Sequence, residues 1–331
     1  MQASDAGAAF GLEGIPRPAA PRRGPLRIDG YPTKLAVGMS DAAGSFGFTR
    51  DGAFAHCMFD VCCREAQSSC ELLQPDGAKR FLVSPVIFDD EPKRARQERR
   101  SLKELERFVK DEGLVGLVGK TMDDIRPPAP SGSWAYGGEL TLVVQEIGPG
   151  ETKKPTGETD FAPGMVKVGG RLEEETTVFV YFPPRPELCA HPTACFEMQM
   201  NALMLSPDER EFGVLTYTRH SSHGSTIVAT RLGTDAFAAM VLNATGHTHH
   251  QRGNYARAAA LFTRAVYADP TKEVYAYNLA CALARQADDR ARHALAYAYR
   301  LGGAKLEERA RKDADFAAVK DKDWFRGVFA R

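Results

Sequence analysis

Residues 251–270, QRGNYARAAALFTRAVYADP, and residues 274–286, VYAYNLACALARQ, decide how the rest of the chain is read. Gly253-Asn254 marks a turn, Tyr255 opens a helix, and Pro270 closes it. Ala258 and Ala265 fall at helical spacing, where small side chains let a second helix approach. Leu279, Ala280 and Leu283 give the second stretch an apolar side. Upstream, Thr234 or Asp235 can cap a helix that contains FAAMVLNATGHTHHQ, residues 237–251. The last third of the chain therefore reads as consecutive helices.

Their spacing resembles the tetratricopeptide repeat, a helix–turn–helix unit of about 34 residues. Leu242, Gly246, Tyr255, Ala258, Phe262, Ala265 and Pro270 fall on motif positions, with His249 where the family has tyrosine. Gly246 is expected to face Ala258 across the hairpin. A second unit places Leu279, Ala280 and Leu283 on its first helix and Ala291, Leu295 and Ala298 on its second. Gly302-Gly303 ends it. Residues 304–330 read as a cap carrying Leu306, Ala310, Phe316, Val319, Trp324, Phe325, Val328 and Phe329. The resemblance implies a concave groove lined by Asn243, His247, His250 and Gln251, then Tyr277, Asn278, Cys281 and Arg285. Amides, imidazoles and a guanidinium there suit a protein or peptide partner. The lysines of the carboxylate-clamp version are missing from these positions.

The remaining 200 or so residues alternate short β-favouring runs with turn signals. KLAVGMS, GSFGFTR and AFAHCMFDVCC are followed by CELLQPDGAKRFLVS, with turns at Asp51-Gly52 and Pro75-Asp76-Gly77. An antiparallel meander is expected. Further strands are expected at ELTLVVQEI, TTVFVYF, FEMQMNALML, EFGVLTYTR and STIVATRL, with 148–164 an exposed polar excursion. The Ser206-Pro207-Asp208 turn is similar to the S-P-D-G turn of WD-like and Tol-type propeller blades, with Glu209 in the glycine place. Residues 91–112 change period, and Leu102, Leu105, Phe108 and Val109 form the apolar stripe of one amphipathic helix that starts near Pro92 or Ser101. Its arginines and lysines read as a solvated face laced with acid–base pairs. The expected class is α+β and multi-domain. A proline-rich disordered leader spans 1–33, a mostly-β domain (sandwich or partial propeller-like meander) spans 34–233, and a helical domain spans 234–331.

The chain has 331 residues with 43 basic and 43 acidic side chains. That balance argues against nucleic acid and an anionic membrane surface as partners. No apolar run reaches membrane-spanning length, and the start has no apolar core of signal-peptide length. The cysteines point the other way, to an extracytoplasmic compartment. Cys57, Cys62, Cys63 and Cys70 cluster, Cys189 and Cys195 lie close together, and Cys281 stands alone. A disulfide from Cys62 or Cys63 to Cys70 is expected, with a second joining Cys189 to Cys195.

No catalytic residue, metal site or cofactor is assigned. His247 and His250 share a helix face without a third ligand, while His249 points about 100° away. GLVGLVGKT at 113–121 is no phosphate loop, because Leu114 occupies a required glycine position. RHSSHGS, 219–225, lacks a nucleophile elbow. Two function classes remain: a non-enzymatic interaction or scaffold protein using the helical groove, and a hydrolase or metal-dependent enzyme. The enzyme's site would lie near His220 and His223 or in the cysteine cluster.

Overall fold

A computed structural model of the chain describes residues 12–30, 43–62, 65–87, 91–116, 132–147, 150–153, 159–162, 165–172, 175, 177–182, 195–220 and 224–330. Among them are seven α-helices and three main sheets, an α+β arrangement. No described helix is long and apolar enough to cross a membrane.

The expected meander is a five-stranded sheet. Its order is Lys79–Ile87, Glu65–Leu73, Phe54–Cys62, Ala43–Phe48 and Val115–Gly116. Gly52 and Gly77 occupy left-handed φ of +82° and +84° in the two tight turns, a conformation that glycine adopts without Cβ strain. Cys57 pairs with Cys70 in a disulfide, which corrects the expected link from Cys62 or Cys63. The register of the central hairpin sets which cysteines meet. Cys62 opposes Glu65, and Cys57 opposes Cys70. Cys63 and Cys189 lie outside the described residues, as does the side chain of Cys195.

Helix α1 is Glu91–Glu112, so of the two possible starts the one near Pro92 holds and the one near Ser101 does not. Leu105 is buried, and Phe108 and Val109 pack with it on Ala53, Ala55, the disulfide and Leu72. The Leu102 side chain lies outside the described residues.

The second sheet runs Val178–Phe182, Met165–Leu172, Leu140–Ile147 and Ile28–Asp29, the last pair parallel. Residues 12–30 therefore correct the expected disordered leader. Leu12, Ile15 and Leu26 are buried in the main core, and Gly24–Pro25 pairs with Ser133–Trp134. The prolines exclude a helix there, but three spaced apolar side chains suffice to anchor an extended segment. Within the expected exposed excursion, Gly150–Lys153 and Thr159–Ala162 pair as a two-stranded ribbon.

The third sheet joins Cys195–Leu205, Glu211–His220 and Gly224–Gly233, all antiparallel. Its first turn places Glu209 at φ +61°, a left-handed conformation that favours glycine. Arg231 binds this sheet to the first. It donates to Gly52 O (2.6 Å) and Leu73 O (2.9 Å), pairs with Glu211, and lies over the Phe48 ring.

The sheet runs directly into α2, Thr234–Gln251. Gly233 holds the N-cap position, so neither Thr234 nor Asp235 caps the helix as expected. Thr234 is buried and donates to Glu209 O instead (2.9 Å). Then follow α3 (Tyr255–Ala268), α4 (Glu273–Ala284), α5 (Ala291–Gly302), α6 (Ala304–Lys312), a 3-10 turn (Ala314–Phe316) and α7 (Asp323–Val328). Asn254 caps α3 by accepting from Arg257 N, and Gly303 ends α5 at φ +63°.

One apolar core spans sheet and helices, centred on Trp134, Phe212 and Phe237. Gly170 lets α2 lie against the second sheet, since a Cβ there would stand 2.6 Å from Val241 Cγ2. Tyr267 on α3 donates to Ile15 O (3.0 Å), and Gly14 sits against the His293 ring of α5. Glu175 receives His249 (3.0 Å) and Arg257 (2.7 Å), tying α2 and α3 to the edge of the β region. Burial opposes the charged Glu175 carboxylate, but the hydrogen bonds from Arg257 and His249 hold it below its usual range.

Across the hairpin, Gly246 lies against Phe262. A Cβ on Gly246 would lie 2.8 Å from Phe262 Cε1, and that ring is buried. Gly246→Ala is therefore expected to destabilise by about 1–2 kcal/mol, overpacking outweighing alanine's better helix propensity. Gly327→Ala in α7, where a Cβ meets nothing, is the control. Thermal unfolding of both variants checks this, and an unchanged melting temperature for Gly246→Ala would contradict it.

Candidate partner-binding face

The eight groove residues predicted from the sequence lie on two neighbouring helices and their ends. Asn243, His247, His250 and Gln251 belong to α2. Tyr277, Asn278 and Cys281 belong to α4, and Arg285 is its C-cap. The i, i+4 spacing places each set along one helix side. Asn278 Nδ2 donates to Asn243 Oδ1 at 2.9 Å, so the two rows touch. His247 and Gln251, both exposed, pair with each other at 3.0 Å.

The other four meet a segment of the chain itself. Tyr277 OH donates to Asp313 Oδ2 at 2.7 Å, and Cys281 Sγ lies 3.9 Å from the same oxygen. Asp313 Oδ1 accepts from Asp315 N (3.0 Å), capping the 3-10 turn. Asp315 reaches Arg285 Nε at 3.8 Å and His250 Nε2 at 3.3 Å. The last contact is close enough for an ion pair but badly directed, so His250 Nε2 is buried without a hydrogen bond. Phe316 sets its edge against Tyr277, and Arg309 covers that ring at 4.2 Å. Arg285 also donates to Tyr255 OH (2.7 Å) and stacks over its ring.

The face therefore has two parts. Around Tyr277 and Cys281 it is closed by Asp313–Phe316, and both side chains are at most 5% exposed. Toward the end of α2, Asn243 is half-buried while His247, Gln251 and Arg285 are exposed. Sequence reasoning missed Asp313, Asp315 and Tyr255. The available signal was Asp313-Ala314-Asp315, an acidic capping pair directly after the basic end of α6.

Cys281 Sγ and oxygens of Asp313 and Asp315 converge within 4.8 Å, a spacing that a metal ion would tolerate. The surroundings satisfy these groups otherwise. Tyr277, Arg285 and a backbone N–H already occupy the carboxylates. Burial, then the two aspartates, raise the Cys281 thiol well above its ordinary range, so it stays protonated. Tyr277 is raised too, by burial and then by its bond to Asp313. Neither group is a nucleophile at neutral pH. His249 points away from this face to Glu175. The side chains of His220 and Ser225, with residues 221–223 and most of 113–121, lie outside the described residues.

Set against known protein families, curated proteins and solved structures, the chain finds no match in any of the three.

Proposed function

We propose that the chain is a non-enzymatic scaffold that holds a segment of a protein partner on the α2/α4 face. In this reading α2–α3 and α4–α5 are two tetratricopeptide-like hairpins joined to a mostly-β part, and α6–α7 cap them. The carrying observation is that this face already holds a short segment of chain, Asp313–Phe316, through side-chain hydrogen bonds, the Arg285–Asp315 ion pair and one aromatic edge. The same residue types continue to the open end, where Asn243, His247, Gln251 and Arg285 offer amide, imidazole and guanidinium groups. A partner segment there extends the row of contacts that the capping turn begins.

Tyr277 is not a suitable probe, because its removal would unseat the cap. A photo-crosslinking side chain at His247 is. The expected result is a discrete protein adduct that is absent when the probe sits at exposed Lys272. His247→Ala with Gln251→Ala should weaken binding of the identified partner by about tenfold or more, as for a central contact pair. Adducts equal at both positions, or an affinity untouched by the double substitution, would refute the proposal.

A further inference from the structure

Helix α1 distributes its charge unevenly. Its apolar side, centred on Leu105, packs on the five-stranded sheet. At about 100° per residue, Arg96, Arg99, Arg100, Lys103, Arg107 and Lys110 all project within roughly 100° of arc, directly opposite Leu105. All six are exposed. The row is about 21 Å long at 1.5 Å per residue. An open cavity of about 640 Å³ lies along it, lined among the described residues by five of these cations and Glu104.

The acids border this row without interrupting it. Glu104, Glu106 and Asp111 project roughly 60–80° to either side of its axis. Glu104 pairs with Arg100 (3.1 Å) and Asp111 with Arg107 (3.5 Å). These are exposed pairs between flexible side chains, of the kind that contributes little. A phosphate that takes a guanidinium in two parallel hydrogen bonds displaces such a pair readily.

We propose that this face binds the phosphate backbone of single-stranded nucleic acid without reading its sequence. The row is narrow and linear, with about one cation per 5.4 Å helical turn along its centre, which suits successive phosphates of an extended strand. A flat anionic membrane fits less well, because its plane would press against the flanking Glu104, Glu106 and Asp111. No aromatic side chain stands on the row, so bases are not stacked and binding is electrostatic and sequence-tolerant. The whole-chain balance of 43 basic and 43 acidic groups gave the opposite expectation, because a sum conceals segregation on one helix.

The test uses the full chain and fluorescein-labelled oligo-dT and oligo-U of about 15 nucleotides, within the range one binding groove covers. Fluorescence anisotropy is followed from low to physiological salt. Both oligonucleotides should bind at low salt, with log K against log[salt] falling at a slope of about −3 for four engaged cations. Arg96→Gln/Arg100→Gln/Arg107→Gln should bind at least about tenfold more weakly and flatten that slope by about 2. Glutamine is a good helix former, and unchanged circular dichroism would verify the fold. The proposal fails if neither oligonucleotide binds at low salt, or if the folded variant binds as well as the parent. It also fails if duplex DNA of equal length binds more tightly. Row-dependent sedimentation with phosphatidylserine vesicles, without oligonucleotide binding, would assign the face to membranes and overturn it as well.

Discussion

Arg231→Met is expected to lower the free energy of unfolding by about 3 kcal/mol, near the low end for breaking a buried ion pair. The guanidinium side chain is only 12% exposed, and it serves two sheets at once. Its loss leaves the Gly52 and Leu73 carbonyls and the Glu211 carboxylate without their donor. Methionine fills much of the volume and keeps contact with Phe48, so the effect isolates the polar loss. Adding Glu211→Gln should recover part of the stability, because the uncompensated charge is then gone. Arg326→Met in α7, whose pair with Asp323 is exposed, should change little. Denaturant unfolding of the three variants decides the point. A loss below about 1 kcal/mol for Arg231→Met would mean that the sheets are joined by apolar contact alone.

The second large effect is a dependence on pH carried by His56. The side chain is buried on the strand Phe54–Cys62, opposite Phe46 on one side and Glu71 on the other. Burial pushes its pKa down to about 4. In the unfolded chain the ring binds a proton near pH 6.5, whereas the folded protein resists until about pH 4. The contribution is therefore complete above pH 6.5 and drains away as pH falls through that window. Between pH 7 and pH 5 the expected loss is about 2 kcal/mol, before the carboxylates titrate appreciably. His56→Leu removes the titrating group, so its stability should fall less over the same interval. Equal pH slopes for parent and variant would show that His56 is solvated or finds a proton acceptor.

What was legible in the sequence was local. Asp51-Gly52 and Pro75-Asp76-Gly77 each require a positive φ at the glycine, and the meander follows from them. Periodicity identified α1, though not whether it starts near Pro92 or Ser101, because its apolar stripe is what packs on the sheet. The succession of helices after Thr234 was legible for the same reason. Features set by distant partners were not. The Cys57–Cys70 link depends on where the hairpin turns, and cysteine spacing does not say. Residues 12–30 look like a linker by composition, yet Leu12, Ile15 and Leu26 find places in a core assembled elsewhere. At the candidate face, the eight positions came from the resemblance, and helical spacing accounts only for each set sharing one side of its helix. The turn that covers half of them was not legible, because Asp313 lies 36 residues beyond Tyr277. The charge row of α1 was readable from its positions alone, but only when counted around the helix rather than along the chain.

The hydrogen bond from Tyr267 to Ile15 carries a kinetic consequence. Its two ends are 252 residues apart, and Gly14 meets His293 over a still longer interval. Helix hairpins such as α2–α3 need only neighbours in sequence and can assemble early. The core around Trp134 cannot close until the helices return to the segment that contains Leu12 and Ile15. Loop entropy grows only logarithmically with length, so this closure costs little at equilibrium. It costs time instead, and during that interval the inner faces of the helices and of the second sheet remain open to solvent and to other chains.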